Sequence, residues 1–485
     1  MRPGTVAFLS VAGMLLTSVS VYSLTPPRPV GAEVGDQAVL AVSSQSPAAG
    51  AGDRATFRTG TSLMLEGRLG HPRIVASGQG ETLLLLEARG ADTAVATAPP
   101  LNLALVIDRS GSMRGSRLQH AIGAAVAAVD RLRDGDVVSV LAFDTKSTVV
   151  VAPTVIGPGV RERTATDIRR IALGGDTCMS CGIEDALVEI ERTAGKVNRM
   201  ILLSDGRPTA GLRDEPSFRA LARRARDRGV TVTTIGVDLG YDERILSAIA
   251  QDANGQHYFV ENDDTLTKVL ETEASTLAAT IASDVEAVID LAPGVEMVDV
   301  LGRSFRRSGN RIAVPMGTLG RGELKTVLMR VRVPASTPGS VPVADVRLGF
   351  RDLASEKVGS CAGALALDVV APPAEPSPLD PVVAARLARD ETAATLRAAG
   401  ELFAAGRIDE ANKKLDEQSR ALRERTPALA SAAPADRARG VDDDLQGQIK
   451  VIDENRTRFG TAAPSSRPAK AAPKRMIETA DPFNR

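Results

Sequence analysis

Hydrophobic and polar positions follow two different rhythms along this chain. From Leu101 to about Thr280, short apolar runs trade places with stretches whose apolar residues recur at helical spacing. Leu101–Ile107, Val137–Phe143, Arg199–Leu203, Val230–Val237 and His257–Val260 read as strands. Arg117–Arg133, Arg161–Ile171, Gly182–Thr193, Pro216–Arg228, Tyr241–Ala250 and Asp264–Ile281 read as helices. Strands alternating with helices predict an α/β fold, a doubly wound and mostly parallel sheet covered on both faces. After Ser283 the rhythm changes to short runs such as VEAVIDL, LKTVLMRVRV and VADVRLGF, broken by Pro and Gly. That pattern predicts an antiparallel β-sandwich. Two similar runs, SLMLEGRL and ETLLLLEAR, come before the alternating region. They are too few to stand alone. They are therefore expected to join the later strands, with the α/β unit inserted between.

The ends of the chain read differently. Arg2 and the amino group precede an uncharged stretch, Gly4 to Leu24, and small residues follow at Val30-Gly31-Ala32. This is the pattern of an export signal, or of a retained anchor, since the stretch approaches the roughly 20 residues that span a bilayer. The expected localisation is outside the cytoplasm: periplasm, cell surface or medium. The expected organisation is a signal peptide or anchor over 1–32, a linker over 33–60, sandwich strands over 61–98 and the α/β domain over 99–281. The rest of the sandwich follows over 282–372, a Pro-rich linker over 373–381, a helical hairpin over 382–425 and a mostly disordered tail over 426–485. The hairpin string AAGELFAAGRIDEANKKLDEQ resembles one tetratricopeptide-type unit, which normally needs neighbours to bury its faces.

Composition narrows the function. The formal net charge is −1, so no global basic field draws in nucleic acid. Aromatic residues make up 3% and Trp is absent, which removes the stacking platforms that bases or sugars use. The three cysteines are Cys178, Cys181 and Cys361. In an exported chain the Cys178-x-x-Cys181 pair is expected to form a short disulfide, leaving Cys361 as a free thiol. Three scattered histidines, at 71, 120 and 257, do not complete a zinc site with them.

The chemistry collects at the ends of the predicted strands. Leu101–Ile107 runs into Asp108-Arg109-Ser110-Gly111-Ser112. Alternate side chains of an extended segment share a side, so Asp108, Ser110 and Ser112 can converge on one point. One carboxylate and two hydroxyls form a hard-oxygen set suited to Mg2+, or to Mn2+ or Ca2+. Two later loops add matching oxygens: Gly174-Gly175-Asp176-Thr177, and Ser204-Asp205-Gly206 at the end of another strand. Open α/β sheets place their ligand sites at these carboxyl ends.

Together the three pieces resemble the von Willebrand factor type A domain with its metal-ion-dependent adhesion site, over about Leu101–Thr280. The order of strands, type A domain and β-rich region is similar to bacterial exported proteins of that family and, distantly, to inter-alpha-trypsin inhibitor heavy chains. The resemblance implies that Ser110, Ser112 and Thr177 touch a divalent cation while Asp108 and Asp205 hold its waters. Asp176 reads as a turn residue, and Arg109 has no assigned role. The cysteines depart from the family's usual loop. A bridge there would staple the Thr177 loop, or would make cation binding redox-sensitive.

Neutral hydroxyls leave most of a cation's charge uncancelled, free to attract a carboxylate from another protein. No general base accompanies the set. Gly-x-Ser-x-Gly, His-Glu-x-x-His and phosphate-loop motifs are missing from the sequence. The expectation is a non-enzymatic, exported, cation-dependent binder of an acidic side chain on a partner protein, with no nucleic acid. The alternatives are an envelope scaffold with a structural or vestigial metal site and, behind it, a metal-dependent hydrolase.

Overall fold

The computed structural model describes residues 54–92, 100–193, 197–261, 279–463 and 466–484, with several positions between 266 and 276. The expected signal or anchor, and the linker up to residue 53, lie outside the described residues.

The chain opens with strands β1 (Thr56–Gly60), β2 (Leu63–Leu69), β3 (Arg73–Val75) and β4 (Gly78–Gly90). The α/β unit follows: β5 (Leu101–Asp108), α1 (Ser116–Asp130), β6 (Val137–Phe143), β7 (Ser147–Val155), α2 (Val160–Arg169) and α3 (Met179–Glu191). It continues with β8 (Val197–Ser204), α4 (Glu215–Asp227), β9 (Val230–Val237), α5 (Glu243–Asp252) and β10 (Asn254–Val260). Its sheet runs β10-β9-β8-β5-β6-β7, parallel except for β7, which turns back along β6. That antiparallel edge strand was not expected. Its apolar run, Val149–Ala152, is short and ended by Pro153, and Val151 alone of its residues is buried. Central β5 is buried along its whole length. Leu101, Leu103, Leu105 and Ile107 face one core cluster while Ala104 and Val106 face another, as a sheet covered on both sides requires.

Two boundaries differ from expectation. α3 begins at Met179, not Gly182, so Cys178 is its N-cap and Cys181 lies in its first turn. The closing helix was expected to reach Ile281. Helical residues instead fall between 266 and 276, and strand β11 (Thr280–Leu291) has already begun. Its alternating burial is a strand's rhythm.

The remaining strands are β12 (Glu296–Leu301), β13 (Arg306–Ser308), β14 (Arg311–Gly320), β15 (Leu324–Ala335), β16 (Gly339–Asp352) and β17 (Val358–Val370). They form two sheets, β1-β2-β4-β15-β12 and β13-β14-β11-β16-β17-β3, which share one apolar core. β4 pairs antiparallel with β15 from Arg89↔Leu324 to Gly78↔Ala335. The early strands therefore belong to the later sandwich, with the α/β unit inserted between β4 and β11. Exit and re-entry meet the same turn. Gly90 N donates to Glu323 O, Gly322 N to Gly90 O, and Arg321 N to Ala279 O. A Cβ on Gly90 would stand 2.0 Å from Gly320 O, so this close crossing requires glycine.

The C-terminal region is more ordered than its composition suggests. The Pro-rich segment before the helices is pinned: Arg68 pairs with Asp380 at 3.0 Å, and Asp380 caps the next helix through the Val382 and Val383 amides. α6 (Pro381–Ala404) and α7 (Ile408–Ala432) form the expected hairpin, with α7 extending past residue 425. The tail expected to be mostly disordered instead forms α8 (Ala438–Phe459) and α9 (Arg467–Ala480). In α8 the buried Val441, Leu445, Ile449, Ile452 and Phe459 fall at helical spacing. This sparse stripe is enough to pack on α6 and α7 although the average composition is polar. α9 packs against α6 and against α5 and β10 of the α/β unit. Among the described residues, no helix is long and apolar enough to cross a membrane.

Candidate metal centre

β5 delivers Asp108 at its carboxyl end, fully buried. Its Oδ1 accepts the Ser110 amide at 2.8 Å and its Oδ2 accepts the Ser204 hydroxyl at 2.6 Å. Ser110 Oγ and Ser112 Oγ lie 3.0 Å apart, and Ser112 Oγ donates to Asp205 Oδ1 at 2.6 Å. Asp205 follows β8 directly and is 1% exposed, whereas Ser112 is open to solvent. Thr177 is brought in from the loop before α3. Its amide donates to Thr209 Oγ1 at 2.8 Å, and its carbonyl accepts the Thr209 and Ala210 amides. Gly206 sits where these groups meet. A Cβ there would lie 3.0 Å from Ser112 Oγ and 3.4 Å from Thr177 Oγ1. The structure thus gathers Asp108, Ser110, Ser112, Thr177 and Asp205 from two strand ends and the loop before α3 into one cluster.

The loops are laced to each other. Gly174 N donates to Arg109 O at 2.7 Å, Gly111 N to Gly175 O at 2.9 Å, and Arg109 N to Phe143 O at 2.9 Å. Cys178 and Cys181 form a disulfide, with Cys178 buried as the N-cap of α3 and Cys181 half-buried one turn on. The loop from Asp205 leans on it. Leu212 N donates to Ser180 Oγ at 3.1 Å, and a Cβ on Gly211 would lie 2.6 Å from Cys178 Sγ. The staple therefore stands between the Thr177 and Asp205 loops. Cys361 is a buried free thiol far along the chain in β17, its pKa pushed up to about 11 by burial.

Three functional neighbours escaped the sequence reading. Ser204, the last residue of β8, orients Asp108. Asp144, after β6, pairs with Arg109 at 2.9 Å and gives that arginine a role. Arg117, the second residue of α1, donates to Ser112 O at 2.7 Å and Asp205 Oδ2 at 3.2 Å, and pairs with Asp238 at 2.8 Å. The signals were present but weak: a serine just before the Asp205-Gly206 pair, and an arginine five residues after Ser112. Asp176 is exposed, its amide donating to Thr145 Oγ1, which suits a turn residue.

Electrostatics favour a cation at this point. Burial pushes the Asp108 carboxyl up to about 6, against the hydrogen bonds from Ser204 and Ser110, and the nearby Asp205 adds to the rise. Burial also raises Asp205, opposed by Ser112 and Arg117. Asp205 thus meets one guanidinium, itself shared with Asp238, while Asp108 is held by neutral hydroxyl and amide donors. Among the described residues no group of three or more His, Cys, Asp or Glu could hold a metal. The donor set here is of another kind, three hydroxyls and two carboxylates, all hard oxygens that fit Mg2+, Mn2+ or Ca2+.

The comparisons agree with this geometry. Residues 102–272 match the model of the von Willebrand factor type A domain. An uncharacterized protein of Synechocystis sp. is 25% identical over 281 residues, 56% of this chain and 66% of that protein. Human inter-alpha-trypsin inhibitor heavy chain H4 is 28% identical over 170 residues, 33% of this chain and 18% of that protein. The chain thus spans less than two thirds of either relative. Among solved structures, a von Willebrand factor type A protein from Catenulispora acidiphila superposes with a TM-score of 0.63 at 17% identity, covering 85% of this chain and 93% of that one. That likeness concerns the fold, and it extends beyond the α/β unit.

Proposed function

Because residues 102–272 form a von Willebrand factor type A domain, we propose that the protein is an exported binder that captures an acidic side chain of another protein through a divalent cation. Ser110, Ser112 and Thr177 would hold the ion, with Asp108 and Asp205 orienting and balancing it. When bound, the cation supplies an electrophilic point to which a partner's carboxylate can attach. The protein's own groups do the positioning. Ser204 and the Ser110 amide fix Asp108; Arg117 fixes Asp205; Thr209 and the disulfide fix the Thr177 loop.

The observation that carries this reading is the convergence of three hydroxyls and two buried carboxylates beside an exposed Ser112. Strongly anchored carboxylates beneath an open set of neutral hydroxyls suit holding over turnover. The test is a pull-down from envelope extract with and without Mg2+, using the intact chain and the Ser110→Ala/Ser112→Ala variant. Capture should require both the cation and the two hydroxyls. Capture that survives EDTA and the double substitution would sink the proposal and favour a scaffold.

A further inference from the structure

The loops around the cation site carry charges that the fold does not use. Arg114 follows Ser112 by two residues, and Arg207 follows Asp205 by two. Arg213 closes the loop that leans on Cys178 and Ser180 through Gly211 and Leu212. Lys146 stands on the β6–β7 turn, beside the Thr145 hydroxyl that accepts the Asp176 amide. All four residues are exposed. None of their side chains has a hydrogen-bond or ion-pair partner among the described residues. The neighbouring arginines differ, since Arg109 is paired with Asp144 and Arg117 with Asp205 and Asp238. On the same loops, Glu215 is paired with Arg219 and Asp214 caps α4 through the Ser217 amide, which leaves Asp176 and Asp214 to offset four cations. The rim is thus locally basic in a chain whose formal net charge is −1.

We propose that the partner is acidic well beyond the one carboxylate that meets the cation. Its docking segment is an Asp/Glu-rich stretch of protein, whose flanking side chains meet Arg114, Arg207, Arg213 and Lys146. This rests on the cation-dependent reading above. A divalent ion and a basic rim add on the same face, so one isolated carboxylate would use only part of the attraction. Rim charges act mainly on encounter rate and salt dependence. A nucleic acid would also match a basic rim. However, residues 109–117, 172–178 and 205–215 contain no Phe, Tyr or Trp on which a base could stack.

The test uses the full chain in Mg2+ with three fluorescent probes: a Gly/Ser peptide with one central Asp, the same peptide with four added Glu, and oligothymidylate. The acidic peptide should bind about tenfold tighter than the single-Asp peptide. It should lose about tenfold in the Arg114→Gln/Arg207→Gln/Arg213→Gln variant and weaken as NaCl rises from about 50 to about 300 mM. Mg2+ affinity of that variant, read by calorimetry, should stay within about twofold, because none of the three touches the ion-holding oxygens. Equal affinity for both peptides, or an unchanged triple variant, overturns the proposal. So does oligothymidylate binding that is tighter than the acidic peptide and survives EDTA. If Mg2+ binds and neither peptide does, the acidic partner fails while the cation site stands. If Mg2+ itself does not bind, the underlying reading fails and takes this one with it.

Discussion

The α/β unit has two polar clusters that invite comparison. One is the oxygen cluster at the carboxyl end of its sheet. The other lies under α9. There Lys474 Nζ donates to Tyr241 O and Glu243 Oε2, both at 2.8 Å, and sits 4.0 Å from the centre of the Tyr241 ring. His257 is buried beside Tyr241 and reaches Thr234 Oγ1 at 3.0 Å. Glu478 accepts the Phe259 amide on the outer edge of β10 and pairs with Arg475. Both clusters are rich in buried titratable groups, yet they are built to opposite ends. Under α9 the chain supplies its own cation and closes over it. At the strand ends it leaves Asp108 without a cationic partner, Asp205 with an arginine shared with Asp238, and an open mouth. Perturbed groups alone would not separate them. Exposure and charge balance do: the first cluster is open to solvent and the second is a closed, paired seam.

The largest effect should fall on the seam. Lys474→Ala strands the Tyr241 carbonyl and removes the partner of Glu243. It should cost about 3 kcal/mol of stability by urea unfolding, while Mg2+ affinity stays within twofold. A variant that lost Mg2+ binding as well would erase the contrast between the clusters.

The reciprocal change is Ser110→Ala/Ser112→Ala. It should lower Mg2+ affinity by at least about 100-fold, or about 2.7 kcal/mol. The rise in melting temperature that Mg2+ gives the intact chain by mass action should disappear. The metal-free variant should unfold close to where the intact protein does.

A third, smaller effect is a pH dependence belonging to the seam. Burial, reinforced by Lys474, lowers His257 from 6.5 to about 3. The unfolded chain therefore binds this proton between those values and the folded chain does not. Stability is lost as pH falls below 6.5. From pH 7 to pH 5 the loss from this group should be about 2 kcal/mol. His257→Gln should flatten that part of the profile.

The smallest effect tests how tightly the oxygens are packed. Gly206→Ala places a methyl 3.0 Å from Ser112 Oγ. It should weaken Mg2+ binding about fivefold, roughly 1 kcal/mol, with little change in unfolding.

The two clusters were not equally legible. Most of the oxygen cluster could be read from the sequence because two of its pieces follow continuous apolar strands. Asp108 follows Ile107 and Asp205 follows Ser204, so locating the strands located these carboxylates, whereas Thr177 comes from the loop before α3. Its supporting residues were harder to find. Arg117, Ser204 and Asp144 act through contacts with residues 88 to 121 positions away, or with a partner on another loop, and no local spacing announces them. The seam was invisible for a different reason. Its outer half comes from a tail whose apolar residues are sparse and small, Ala469, Ala472, Met476 and Ala480. Its binding groups are charged residues that a composition-based reading assigns to solvent. The insertion of the α/β unit was legible because the strands at 62–94 were too few to fold alone. Edge strand β7 was not, because a half-exposed edge lacks a clear apolar rhythm.

The crossing at Gly90 bears on how this molecule would carry load. The α/β unit leaves the sandwich at β4 and rejoins it at β11, and both joints grip the turn at Gly320–Glu323. Tension applied at the oxygen cluster would divide between two strands anchored in two different sheets. β4 is held lengthwise by its pairing with β15 from Arg89 to Gly78. Hydrogen bonds along such a pair are strained together rather than unzipped one by one. The inserted unit is therefore mounted like a hook on a doubled cord, and the sandwich is its mechanical anchor.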